Sequence, residues 1–138
     1  MEDVDRRSTF VFGLAAASAL VFAGSGVAEA AVGDETELAK GVKVKILGEG
    51  PAMIPGFKTV RLRDITFQPG SSIPEKDPMK NPMVCHVTEG ELQIPQDSGK
   101  PLTAKKNFVW TCNTGTTEGS TNSGSVVAVM RVTDLLTA

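Results

Sequence analysis

From residue 42 onward the apolar positions of this chain recur at every second residue, and no stretch of useful length has helical spacing. "VKVKIL" (42–47) alternates apolar and charged residues, the mark of a half-buried strand. "KTVRLRDITF" (58–67) alternates too, but Val60 and Leu62 fall on one parity and Ile65 and Phe67 on the other. A bulge near Arg63-Asp64 would reconcile the two phases. "MVCHV" (83–87), "ELQI" (91–94), a short "PLTA" (101–104), "NFVWTC" (107–112) and "VVAVMRV" (126–132) read as further strands. "TEG" between the first two predicts a hairpin with Gly90 at its turn. "GEGPAMIPG" (48–56), "QDSGK" (96–100) and "TNSGS" (121–125) read as turns, and residues 31–41 as a polar lead-in. "QPGSSIPEKDPMKNP" (68–82), punctuated by prolines, is loop with at most an edge strand. Short strands with turns every eight to twelve residues predict an all-β sandwich or barrel.

The first thirty residues have a different pattern. Arg6 and Arg7 precede a charge-free run from Phe10 to Ala23, and Ala28 and Ala30 offer small residues at spacing two. That order describes an export signal to the periplasm or beyond; the paired arginines suggest the twin-arginine route, with the general secretory route as the alternative. The expected organisation is a signal peptide over 1–30, a lead-in and first strand over 31–56, and the barrel over 57–138. Cleavage after Ala30 takes Lys+Arg from 14 to 12 and Asp+Glu from 16 to 12, leaving a formally neutral domain. Neutrality excludes the basic footprint that nucleic acid requires, and gives no pull towards anionic membranes once the signal is gone. Phe57, Phe67, Phe108 and Trp110 are too few rings for a base- or sugar-stacking platform.

From Pro69 onward the sequence resembles the cupin superfamily. Pro69-Gly70 and Gly90 close the spacing of the first cupin motif, while Gly115 and Asn122 match positions of the second. The resemblance implies one small jelly-roll β-barrel that pairs as a homodimer through an outer sheet face. It also implies where a metal would be held, and there the sequence departs from it. The four ligand positions are Lys76, Pro78, Met83 and Glu118. Proline has no ligand atom, a lysine ammonium repels cations, and methionine suits soft Cu(I). One carboxylate does not make a site for iron, manganese, zinc or nickel, so no metal is expected there.

Strand alternation turns Met83 and Cys85 to one face and His86, the sole histidine, to the other. If Met83 points into the barrel, so does Cys85. Cys112 and Glu118 then line the same cavity, with Met130 from the last strand. Such a sulfur-rich pocket would make copper its natural cation, whereas the simpler reading has these side chains filling the core. After export, Cys85 and Cys112 are expected to form a disulfide. Glu118 in apolar surroundings would have a raised pKa suited to acid–base work, or would pair with Lys76 or Lys80 at the rim. The expected function is binding of a small molecule or partner without a metal cofactor. The alternatives are an oxygenase, lyase or isomerase built on Glu118, Cys85 and Cys112, and a structural module with a filled barrel.

Overall fold

The computed structural model describes residues 31–137, and among these every regular element is a strand. The strands are β1 (Glu35–Ala39), β2 (Val42–Pro51), β3 (Thr59–Phe67), β4 (Ser72–Ile73), β5 (Met83–Glu89), β6 (Glu91–Ile94), β7 (Leu102–Lys105), β8 (Val109–Cys112), β9 (Ser120–Thr121) and β10 (Ala128–Leu136). One sheet runs β1-β2-β3-β10-β5-β8 and the other β4-β9-β6-β7. All ladders are antiparallel. The export signal expected over 1–30 lies outside the described residues.

Alternation produces the core. Val42, Val44 and Ile46 of β2 face inward while Lys43 and Lys45 face solvent. Val42 and Val44 join Ile65 and Phe67 of β3, Val87 of β5, Leu92 and Ile94 of β6, Ala104 of β7, and Ala128, Met130 and Val132 of β10 in one cluster between the sheets. Phe67 is fully buried, worth about 1.5–3 kcal/mol by apolar area alone. At the end of β9, buried Asn122 donates to the carbonyls of Phe67 (3.0 Å) and Val126 (2.8 Å) and accepts from the Gly124 amide (3.0 Å). This residue, matched to the second cupin motif, ties β3 to the turn before β10.

The structure differs from the sequence reading at three places. Residues 35–39 of the expected lead-in form β1, which pairs with β2, and β2 continues to Pro51 through residues expected to turn. The first two strands thus belong to the same sheet as β3 rather than preceding the barrel. The bulge falls on β2, where Ile46 pairs with Arg63 and Gly48 with Leu62, leaving Leu47 extra. Strand β3 keeps an unbroken register with β10. Its apparent phase slip arises because its inward parity continues from Phe67 and Ile65 to Arg63, a charged residue that has a partner inside. Gly90, finally, does not turn a hairpin: β5 lies in one sheet, and β6 pairs with β7 and β9 in the other. The chain crosses between sheets at this residue, with φ 72°. A Cβ here would stand 2.7 Å from the Val127 carbonyl oxygen, so only glycine fits the corner.

Candidate functional site

The inward side chains at one end of the larger sheet are ordered by its register. Arg63, Val132, Cys85 and Trp110 lie in one row across β3, β10, β5 and β8, and Arg61, Asp134, Met83 and Cys112 in the next. One step further in, Ile65, Met130 and Val87 are purely apolar. Met130, expected to line a cavity, therefore belongs to the packed core beneath the site. The change from apolar to functional side chains takes a single rung of the ladder.

Asp134 is buried, and Arg63 holds it bidentately: Nε donates to Oδ2 at 2.7 Å and Nη2 to Oδ1 at 3.0 Å. On the outer face of the same strands, Arg131 makes a similar fork to Asp64 at 2.8 and 2.9 Å. The two pairs differ in environment. The outer one is solvent-screened, whereas the inner one places a guanidinium beside the thiols.

The opposite wall comes from the smaller sheet. Beyond β6 and before β9 the chain continues as a bridge between Gln96 and Glu118, flanked by backbone hydrogen bonds from Asp97 to Thr117 (2.9 Å) and Gly119 to Pro95 (3.0 Å). This ladder aims the Glu118 side chain at β8. One oxygen, Oε2, accepts from Trp110 Nε1 (2.8 Å), Gln96 Nε2 (2.8 Å) and the Cys112 thiol (3.2 Å). Among the described residues, no hydrogen bond reaches Oε1. Gln96 Nε2 also lies 3.3 Å from Cys112 Sγ. The expected partner, Lys76 or Lys80, is replaced by these three neutral donors, and both lysines are exposed. Nor are the surroundings apolar: Glu118 meets an indole, an amide and a thiol.

Cys85 and Cys112 are buried free thiols, and with a Glu118 oxygen their Sγ atoms form a group whose members all lie within 4.8 Å of one another. The expected disulfide is not formed. Across the β5–β8 ladder Cys85 faces Trp110, and Cys112 faces Met83. The cysteines are thus diagonal neighbours, a placement that leaves Cα atoms about 7–8 Å apart, beyond the span of an unstrained disulfide. A hydrogen bond with Cys112 raises the Cys85 pKa far above its ordinary value, and burial and the Glu118 charge add to this, while Arg63 opposes it. Cys85 is therefore held as a thiol. Met83 is half-buried against the core and, with Cys112, Pro82, Val84, Thr111, Asn113 and Leu135, borders an open groove of about 290 Å³. His86 lies on the other face of β5, as expected, with Nε2 3.4 Å from Asn107 Oδ1.

This architecture resembles several solved structures. One is KdgF from Halomonas sp., with TM-score 0.60 and 12% identity over 74% of this chain and 86% of that one. A predicted oxalate decarboxylase from Thermotoga maritima has TM-score 0.61 and 16% identity, over 76% and 92%. An RmlC-like cupin with a double-stranded β-helix fold from Methanocaldococcus jannaschii has TM-score 0.57 and 15% identity, over 73% and 85%. The chain has the cupin fold. No protein-family model matches it, and no curated protein does. At these identities the likeness carries the fold and no reaction.

The metal that cupins commonly hold does not fit the residues here. Lys76 and Pro78 are exposed in the segment joining β4 to β5 and bring no donor to the barrel. Met83 supplies a thioether, and the one carboxylate already accepts three hydrogen bonds. The structure gathers Cys85, Cys112 and Glu118, sets Met83 beside them, and adds Gln96, Trp110, Arg63 and Asp134. Of these additions only Arg63 left a trace in the sequence, as a charge on the inward parity of β3. Gln96 came from a turn, where alternation carries no information about direction.

Proposed function

We propose that this is an exported binding protein of the cupin fold whose ligand engages the barrel mouth at Glu118, Cys85 and Cys112, without the metal chemistry common in that fold. The observation that carries the reading is the convergence of Trp110, Gln96 and Cys112 on one oxygen of Glu118. A carboxylate anchored through one oxygen, with no hydrogen bond to the other among the described residues, is oriented to receive a cation or a hydrogen-bond donor. The packed apolar rungs beneath it favour a ligand at the mouth over one deep in the barrel. Export is supported by the order of charge, apolar run and small residues over positions 1–30.

The enzyme alternative draws on the same residues, since a thiol stands beside a carboxylate. Against it, reactive cysteines need surroundings that favour the thiolate, and Cys85 is held protonated. Trp110 is the only tryptophan in the chain and touches Glu118, so its emission reports on the site. Titration with small cationic and donor ligands should give a saturable change in that emission, abolished by Glu118→Gln. No saturable change with any such ligand would favour the filled structural module. Turnover of a ligand by the metal-free protein would favour the enzyme.

A further inference from the structure

We infer that the ligand is a soft metal cation of the Cu(I) class, held by the thiolates of Cys85 and Cys112 with Met83 beside them. This deepens the binding-protein reading and rests on it. Three features of the geometry point this way. The two Sγ atoms and a Glu118 oxygen already lie within 4.8 Å of one another. A metal–thiolate bond of about 2.3 Å would need only small side-chain movements to close on a central ion. Two sulfurs come from adjacent strands of one sheet, and Glu118 from the facing ladder, so the ligands are fixed by backbone pairing rather than by mobile loops. Met83 is directly opposite Cys112 in the ladder, on the same face, and borders the same groove as Cys112.

The donor set selects the ion. Paired thiolates with a nearby thioether suit Cu(I), whereas hard divalent ions need several oxygen or nitrogen donors and find one carboxylate. No imidazole is near, because the sole histidine is on the outer face of β5. Both cysteines are thiols in the metal-free protein, and the ion displaces their protons: coordination breaks two S–H bonds and forms two S–Cu(I) bonds. The two protons leave to solvent, and no electron is transferred. Two thiolates and one monovalent cation leave a single negative charge beside Glu118; the Arg63 guanidinium lies close enough to favour it, although it is already paired with Asp134. Glu118 and Gln96 close the side facing the smaller sheet.

The test uses the reduced mature protein under anaerobic conditions. Cu(I) is buffered by a colorimetric chelator, Ag(I) serves as a redox-inert second probe, and Zn(II) as the contrast. One Cu(I) per chain is expected. Cys85→Ser and Cys112→Ser should each weaken binding more than about 100-fold, beyond the 10–100-fold of outer-sphere changes, and Met83→Leu by about tenfold within that range. Unchanged Trp110 emission and melting in Met83→Leu, and in Cys112→Ser if it folds, keep the comparison meaningful. Absence of Cu(I) and Ag(I) binding, full retention in the Cys85→Ser/Cys112→Ser double variant, or tighter Zn(II) than Cu(I) binding would each overturn the inference. If the metals fail while an organic cation saturates Trp110 emission, the inference falls and the binding-protein reading stands. If neither binds, both fall.

Discussion

Cys85 and Cys112 are diagonal neighbours on adjacent strands, each directly opposite a different residue, Trp110 for the one and Met83 for the other. Their sulfurs approach while their backbones stay too far apart for an easy covalent link. Protein recovered from the exported fraction without reductant and then denatured should therefore titrate two thiols per chain. None would show that the ladder yields enough to close the bond.

The Cys85 thiol should make stability depend on alkaline pH. Its folded pKa is raised above the ordinary thiol value of 9.0, so the folded state binds this proton more tightly than the unfolded chain does. The resulting stability is complete below about pH 9 and is lost as pH rises from there towards the folded pKa, at up to about 1.4 kcal/mol per pH unit. Urea unfolding of the wild type and of Cys85→Ala between pH 8 and 10.5 isolates the slope. Parallel curves would contradict the assignment.

Removing Arg63 would strand a buried carboxylate. Arg63→Met should cost about 3–5 kcal/mol in denaturant unfolding, the range for breaking one partner of a buried pair. The double variant Arg63→Met/Asp134→Leu should recover most of this loss, because the uncompensated charge goes with Asp134. Arg131→Met, on the screened outer pair, should cost at most about 1 kcal/mol.

Gly90→Ala should be among the most damaging small substitutions. The site requires φ 72° and offers an added Cβ only 2.7 Å from the Val127 carbonyl oxygen and 2.9 Å from the Ala128 Cα. Backbone strain alone costs about 1–3 kcal/mol, and the clash with two backbone atoms adds to it. Gly115→Ala, where φ is 91° but no atom lies within 4 Å, should show the strain without the clash. Equal melting temperatures for the two variants would contradict the close approach at Gly90.

Elemental analysis of protein purified without chelators should find well under one iron, manganese, zinc or nickel per chain. The usual cupin positions provide one carboxylate where iron, manganese and nickel need several oxygen or nitrogen donors, and zinc, which accepts thiolates, finds only Cys85 and Cys112 beside it and no imidazole to complete the set. Stoichiometric metal that disappears in Glu118→Ala would promote the enzyme reading.

Alternation made most strands legible, because β2, β5, β6 and β10 each bury one parity and expose the other. It also brought Met83 and Cys85 to one face. It could not find β1, an edge strand exposed along most of its length, where no buried face leaves an apolar imprint. At Arg63 a true inward position looked like a slip in phase, since the core ends in an ion pair rather than in solvent. Gly90 was recognised as a turn but not as a crossing, because a positive φ says how the backbone bends and nothing of which strand comes next to it. Gln96 was illegible for a related reason. Its direction is set by a bridge to Glu118, more than twenty residues away.

The crossing at Gly90 also fixes how the barrel can deform. Strands β5 and β6 leave that corner into different sheets, and their far ends lead to Cys85 and Met83 on one side and to Gln96 and its bridge to Glu118 on the other. Mechanically they are the two arms of a pair of tweezers joined without slack at the corner. The gap between the carboxylate and the thiols is then an angle measured from the opposite end of the barrel.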